Sequence, residues 1–230
     1  MGSPPAAASS LEPMEIALAS GGYSSGSIYR LVLRHAAAIP PQTDVLDFGA
    51  GVGFLTVQLQ AREPSRRLTG ADLLPRPPSL SPEVQWLEAD LHRPLERADS
   101  SFDAILAAEV IGYLKDAAAI FHEFHRLLRP GGILLVTTPN QESLRSSASH
   151  LLTGRYTVFA GNHPGYVSPL LRKDFARLCA VTGFTPPRFD YTNEGRLPRF
   201  SHVSWQQLSF GLLRGRLFSD NVLMAAQRQP

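Results

Sequence analysis

Residues Asp44 to Phe54 read Asp-Val-Leu-Asp-Phe-Gly-Ala-Gly-Val-Gly-Phe and leave few folds open. Val45, Leu46 and Phe48 form an apolar run too short for a helix, and it suits a strand buried on both faces of a parallel sheet. Gly49, Ala50, Gly51, Val52 and Gly53 follow, with glycine at alternate positions. Phe54-Leu-Thr-Val-Gln-Leu then carries apolar residues at helical spacing. Strand, glycine turn and helix together bind a nucleotide at the carboxyl end of a parallel strand. Glycine serves there because the turn needs unusual dihedrals and the backbone must approach its ligand without a Cβ in the way.

The spacing narrows the ligand. A dinucleotide fingerprint reads G-x-G-x-x-G, and here its third glycine is replaced by Phe54. No Tyr-x-x-x-Lys occurs either, so a nicotinamide-dependent oxidoreductase fits poorly. Asp47 sits just before the glycines, and an acid there suits a cationic ligand better than a pyrophosphate. Val-Leu-Asp-Phe-Gly-Ala-Gly-Val-Gly closely resembles motif I of the class I S-adenosylmethionine-dependent methyltransferases, whose cofactor carries an ammonium and a sulfonium and no phosphate.

Further stretches extend the resemblance. Arg67 to Asp72 reads as a second strand ending in an acid, close to the ~20-residue offset at which an acid meets a ribose. Leu-Pro-Arg-Pro-Pro-Ser-Leu-Ser-Pro follows and cannot be a regular helix. Val84 to Asp90 reads as a third strand and its acid, with Leu91 next and His92 as a loop residue. Phe102 to Ala108 is a fourth, with Glu109 and Val110 beyond it. Ala117, Ile120, Phe121, Phe124, Leu127 and Leu128 repeat at helical spacing, with His122 and His125 on the opposite, solvated face. Pro130-Gly131-Gly132 breaks that helix, and a fifth strand starts at Ile133. Glu109 to Asn140 is similar to the matching methyltransferase segment, and the resemblance is good over residues 40 to 140.

The resemblance implies a Rossmann-like α/β fold with a seven-stranded, mostly parallel sheet, helices on both faces and the last strand antiparallel. It implies S-adenosylmethionine as cofactor and S-adenosylhomocysteine as product. Asp47, Gly49, Ala50, Gly51 and Gly53 would form the methionine side, Asp72 and Leu73 would hold the ribose, and Asp90 and Leu91 the adenine. Glu109 would lie at the cofactor–acceptor junction. One branch of such enzymes places a second acid and a His after that Glu, where this chain has Gly112 and Tyr113. A metal-assisted mechanism is therefore not expected, and Tyr113 is left to orient an acceptor. His122 and His125 lack an evident third ligand for a metal.

The remaining chain frames the acceptor side. Residues 1 to 10 read as a leader, and 11 to 230 as one domain. Within it, residues 11 to 39 read as a packing helix capped by Ser24 or Ser25, ended by Pro40-Pro41, and doubling as a lid tipped by Gly21, Gly22 and Tyr23. Residues 141 to 167 lack periodicity, and loops of that length are usually functional or disordered. They hold Asn162-His163-Pro164, similar to a segment in quinone-biosynthesis and sugar O-methyltransferases, and His163 is the candidate general base. Ser168-Pro169 reads as a helix start, Gly183 as its end, and Phe184 to Tyr191 and Asn221 to Ala226 as the last strands. Between them, residues 193 to 219 mix aromatics with arginines and suit packing over the sheet, an acceptor wall, a dimer surface or weak contact with anionic lipid.

Composition sets outer bounds. With 22 Lys+Arg against 20 Asp+Glu the formal charge is +2, and no basic tract reads as a nucleic-acid groove. No apolar run nears the ~20 residues that span a bilayer. The single cysteine, Cys179, fits a reducing compartment and a cytoplasmic location. The expected activity is methyl transfer to a small-molecule acceptor, more readily at oxygen, by a monomer or homodimer. An N- or C-methyltransferase and a non-catalytic S-adenosylmethionine-binding scaffold are the alternatives.

Overall fold

The structure is a computed structural model that describes residues 13–19, 21–157, 165–167, 169–198 and 202–230. After a first helix, α1 (Pro13–Ala19), the chain supplies seven strands: β1 (Asp44–Phe48), β2 (Arg67–Asp72), β3 (Gln85–Glu88), β4 (Phe102–Ala108), β5 (Leu128–Pro139), β6 (Arg188–Tyr191) and β7 (Asn221–Gln227). They form one sheet in the order β3-β2-β1-β4-β5-β7-β6. β1 runs parallel to both β2 and β4, and β4 parallel to β5. β7 inserts antiparallel between β5 and β6. Strand order therefore reverses at β1 and β4, and a crevice opens at their carboxyl ends.

The pleat sends alternate residues to opposite faces. Ile105 and Ala107 of β4 join the core under α4 (Ala117–Leu127) and α6 (Arg172–Val181), with Phe48, Phe121, Phe124 and Phe175. Ala104 and Leu106 join the other, under α2 (Gly26–Ala36) and α3 (Phe54–Arg62), with Leu31, Val32 and Leu59. Burying each such large side chain contributes about 1.5–3 kcal/mol. Cys179 is a core residue, with its Sγ 3.6 Å from Met224 Sδ.

Several boundaries differ from expectation, each for a local reason. α2 stops at Ala36, before the prolines, and Ser25 stands at its N-cap with its Oγ bonded to Ser27 Oγ at 2.9 Å and to no helix amide. β5 begins at Leu128 and absorbs Pro130-Gly131-Gly132. The ladder to β4 skips from Phe102↔Leu128 to Ala104↔Ile133 there, so the proline meets no regular pairing, while Gly131 and Gly132 exchange backbone bonds of 2.9 Å with Arg228. Residues 141 to 167 are not aperiodic throughout: α5 spans Leu144–Thr153. Ser143 Oγ caps it by accepting the Ser146 N–H at 3.1 Å, and Gly154 ends it at φ +70. α5 lacked an apolar stripe because its buried side is a polar residue, Ser146, while Leu151 and Leu152 are 85% and 84% exposed. α6 begins at Arg172, later than Ser168-Pro169, where the Asp174 carboxylate accepts the Leu171 N–H at 3.0 Å; Ser168 lies outside the described residues. His125 does not share the solvated face of His122: it packs edge-on against Phe184, centroids 5.7 Å apart. Phe184 itself only bridges to Arg228, so β6 is shorter than expected.

Of residues 193 to 219, Phe200 lies outside the described residues, while α7 (Trp205–Leu208) places the Trp205 ring 5.5 Å from Phe218. Phe210 is 97% exposed. Among the described residues, no helix is long and apolar enough to cross a membrane.

Candidate functional site

The glycine turn is wired to the end of β2. Gly49 and Ala50 N–H groups donate to Ala71 O at 2.8 and 3.1 Å, and Gly51 N–H donates to Asp72 Oδ2 at 2.7 Å. Asp72 Oδ1 accepts the Leu74 N–H at 2.9 Å. Two positions show why glycine is needed. A Cβ on Gly51, at φ +56, would lie 1.9 Å from Gly22 O, and one on Gly49 would lie 2.5 Å from Val110 Cγ2. Gly22 O also accepts the Val52 N–H at 2.9 Å, so the segment before α2 rests directly on the turn.

Around this turn lies a cavity of about 340 Å³. Asp47, Gly49, Ala50, Gly51, Asp72, Leu73, Asp90, Leu91, Glu109 and Tyr113 all border it. Gly53 does not: it precedes α3 at φ +76 and faces Leu80 behind the turn. Leu91 is also part of the core under α4, which fixes its place at the wall. His163 falls outside the described residues. Sequence reasoning missed Lys115 at the cavity wall, and Tyr29, whose Oη accepts the Ser24 N–H at 2.7 Å. Tyr29 carries a helix-periodic signal that reads as packing alone.

The carboxyl groups differ in their surroundings. Asp47 is buried, and its Oδ2 accepts the Thr56 hydroxyl at 2.6 Å. Burial pushes it up to about 7; the Thr56 bond opposes this and the Asp72 charge adds to it. Asp90 Oδ1 accepts the His92 amide at 3.0 Å and meets its ring Nδ1 at 2.9 Å. Burial alone would raise Asp90, but the His92 amide and ring and the Arg93 charge outweigh it and hold the carboxyl below its ordinary value. Glu109 stands at φ +59, and burial pushes it up to about 7 against bonds from Thr137 and Asn221. Its Oε1 is buried and has no hydrogen-bond partner.

A second cavity, of about 730 Å³, meets the first where Ile28, Glu109 and Tyr113 line both. Asn140, Ser143, Arg145, Ser204 and Asn221 give it a polar wall. Gly112 explains the missing acid beside Glu109: a Cβ there would lie 1.9 Å from the Tyr166 ring, so no longer side chain fits. Tyr166 Oη bonds Thr138 Oγ1 at 2.8 Å, and its ring lies edge-on to Tyr113, centroids 5.2 Å apart. Among the described residues no cluster of His, Cys, Asp and Glu is placed to hold a metal.

Raised carboxyls make stability depend on pH. Asp47 and Glu109 hold their protons more tightly folded than unfolded, so their contribution is full below about pH 4 and lost as pH rises through about 7. Thermal melts of ligand-free Asp47→Asn between about pH 5 and pH 8 are expected to fall less with pH than those of the parent protein.

Glycine turn, switch-point crevice and a row of acids define a nucleoside-binding site of the class I methyltransferase kind. Residues 22–186 match the family model described as a methyltransferase domain, and the chain belongs to that family. It is 36% identical over 99 residues to trans-aconitate 2-methyltransferase of Azoarcus sp. (strain BH72), covering 41% of this chain and 38% of that protein. It is 30% identical over 180 residues to 2-methyl-6-phytyl-1,4-hydroquinone methyltransferase of Synechocystis sp., covering 73% and 55% respectively. The chain thus spans about half or less of the length of the curated relatives it matches. Among solved structures, an S-adenosylmethionine-dependent methyltransferase from Archaeoglobus fulgidus superposes with a TM-score of 0.65 at 14% identity, covering 94% of this chain and 100% of that one. A 1,6-didemethyltoxoflavin-N1-methyltransferase from Burkholderia thailandensis, with bound S-adenosylhomocysteine, superposes with a TM-score of 0.61 at 18% identity, covering 100% and 94%. These two show the fold.

The residues bordering this cavity fit S-adenosylmethionine as the cofactor. Two carboxyls raised by burial, one with an unpartnered oxygen, suit a ligand bearing two positive charges. Both Asp72 oxygens keep spare lone pairs for hydroxyl donors after their amide bonds.

Proposed function

We propose that this protein moves the methyl group of S-adenosylmethionine to an oxygen of a polar small molecule, without a metal. The second cavity carries this reading: it shares Ile28, Glu109 and Tyr113 with the first cavity, and hydrogen-bonding side chains line it. A wall of that kind suits a hydrophilic acceptor better than a long apolar tail. The cofactor, when bound, supplies a methyl group on an already good leaving group. The chain's own work is to align the acceptor, exclude water and take up its proton.

In this reading Asp47 with Gly49, Ala50, Gly51 and Gly53 holds the methionine end, Asp72 and Leu73 the ribose, and Asp90 and Leu91 the adenine. The bonds of Asp72 to the turn and the place of Leu91 in the wall support it, while Gly53 acts through the shape of the turn. Residues 11–39 are the lid, supported by the Gly22–Val52 bond. Residues 141–167 and 193–219 form the acceptor side, supported by the second cavity's lining. Tyr113 orients the acceptor and His163 takes its proton.

Incubation with radiolabelled S-adenosylmethionine and a panel of hydroxylated acids, sugars and phenols tests the reading. Label on an oxygen is expected, as a base-stable ether from a hydroxyl or a base-labile ester from a carboxylate; label only on amines would move the reaction to nitrogen. With the accepted compound, His163→Ala is expected to lose about 10²–10⁴-fold in turnover while S-adenosylhomocysteine binds as before. Undiminished turnover would remove His163 from the chemistry.

A further inference from the structure

The acids at the carboxyl edge follow strand order: Asp90 after β3, Asp72 closing β2, Asp47 in β1 and Glu109 after β4. The first three are each engaged, by His92, by the Gly51 and Leu74 amides, and by Thr56. Glu109 is not comparably served. Its Oε2 accepts a long bond from Asn221 Nδ2 at 3.3 Å, the Thr137 hydroxyl also favours the charged carboxyl, and its Oε1 is buried with no hydrogen-bond partner. No ion pair among the described residues includes it. Its backbone is held at φ +59, a strained region for a residue with a side chain, by bonds from its N–H to Thr137 O at 3.2 Å and Oγ1 at 3.0 Å. Burial, strain and an orphaned oxygen together mark a residue kept for its ligand.

The groups facing Glu109 do not neutralise it. Tyr29 from α2, Tyr113 after β4, and Tyr166 each have phenols raised first by burial, with the Glu109 charge also raising them. Toward the turn stand Asp47 and Asp72, both acids, with Lys115 farther along the same wall. In the second cavity Arg145 is taken by Asp220 at 3.5 Å and Glu194 by Arg30 at 2.5 Å, while Arg196 and His202 lie in the lining beside them.

In the proposed function the methyl group would pass from the first cavity to the second. Ile28, Glu109 and Tyr113 form the shared wall, and Glu109 is its carboxyl. Donor and product differ only at the sulfur, which in the proposed function would lie at this wall: the donor presents a sulfonium, the product a neutral thioether, and their ammonium, ribose and adenine are the same.

We propose that Glu109 is the residue by which the site tells donor from product, its carboxyl ionising when the sulfonium binds and regaining its proton when the neutral thioether takes that place. The inference rests on the cavity holding S-adenosylmethionine. With the empty-site carboxyl near 7, about half is neutral at pH 7 and about nine-tenths at pH 6. Donor binding near pH 6 therefore expels a proton that product binding does not. Asp47 and every other group that meets the shared parts of the two ligands contribute equally and cancel in the difference.

Calorimetric titration near pH 6, in phosphate and in bis-Tris, counts the protons released by S-adenosylmethionine and by S-adenosylhomocysteine, with no acceptor present. The expected result is about one proton more for the donor, and a donor-to-product affinity ratio that falls about fivefold from pH 7 to pH 6. Glu109→Gln is expected to abolish both differences. Glu109→Asn, better suited to a positive φ, serves should the first variant fail to fold. Equal proton release by the two bound ligands in the parent protein overturns the proposal and leaves the cofactor site standing. So does a difference that persists in the variants. Failure of both ligands to bind overturns the cofactor assignment and the proposal with it.

Discussion

Gly51→Ala is expected to reduce S-adenosylhomocysteine affinity by at least about a hundredfold. The added methyl would lie 1.9 Å from Gly22 O, a backbone atom that no rotamer change can move aside. Either the segment before α2 lifts off the turn or the turn shifts and loses its bond from Gly51 N–H to Asp72. Both rearrange the cavity wall. Positive φ and overpacking together cost on the order of 3 kcal/mol in stability. Gly131→Ala separates the two causes, because Gly131 has a similar φ of +78 with nothing within 4 Å of the added Cβ and lies away from the cavity. It is expected to lower the melting temperature while leaving affinity within about twofold. Equal affinity losses in both variants would show that backbone strain, and not the contact with Gly22, controls the site.

Asp72→Ala is the second large effect. The carboxylate accepts two buried amides, those of Gly51 and Leu74, and each left unsatisfied costs about 1–3 kcal/mol. It is also the acid assigned to the ribose. The variant is expected to be destabilised by a few kcal/mol on that scale and to lose at least about a hundredfold in affinity for S-adenosylhomocysteine. Asp72→Asn keeps one acceptor oxygen and turns the other position into a donor facing an N–H. It should fall between parent and alanine variant in both measurements. An Asp72→Ala protein that binds as well as the parent would place the ribose elsewhere.

The cofactor half was readable because its signals are local. Strand and glycine turn are fixed by backbone geometry, and Asp47, Asp72, Asp90 and Glu109, the last two singled out by the family resemblance, border one cavity. Gly53 shows the limit of such reading: it repeats the motif but turns away from the cavity, since alternation along a turn does not say which Cα faces inward. The second cavity was poorly readable because it is built from distant parts. Ser143, Arg145, Tyr166, Ser204 and Asn221 meet only after folding, and none stands in a pattern of its own. α5 escaped notice because it buries Ser146 in place of an apolar stripe, although Ser143 and Gly154 marked its ends. The reason for Gly112 was hidden too, since the ring that excludes a side chain there belongs to Tyr166.

Calorimetric titration of the protein with S-adenosylhomocysteine, with NADH as the parallel ligand, decides which nucleotide the cavity holds. Saturable binding of S-adenosylhomocysteine alone, lost in Asp72→Ala, is the predicted result. Binding of NADH without S-adenosylhomocysteine would contradict it and return the glycine turn to the dinucleotide reading.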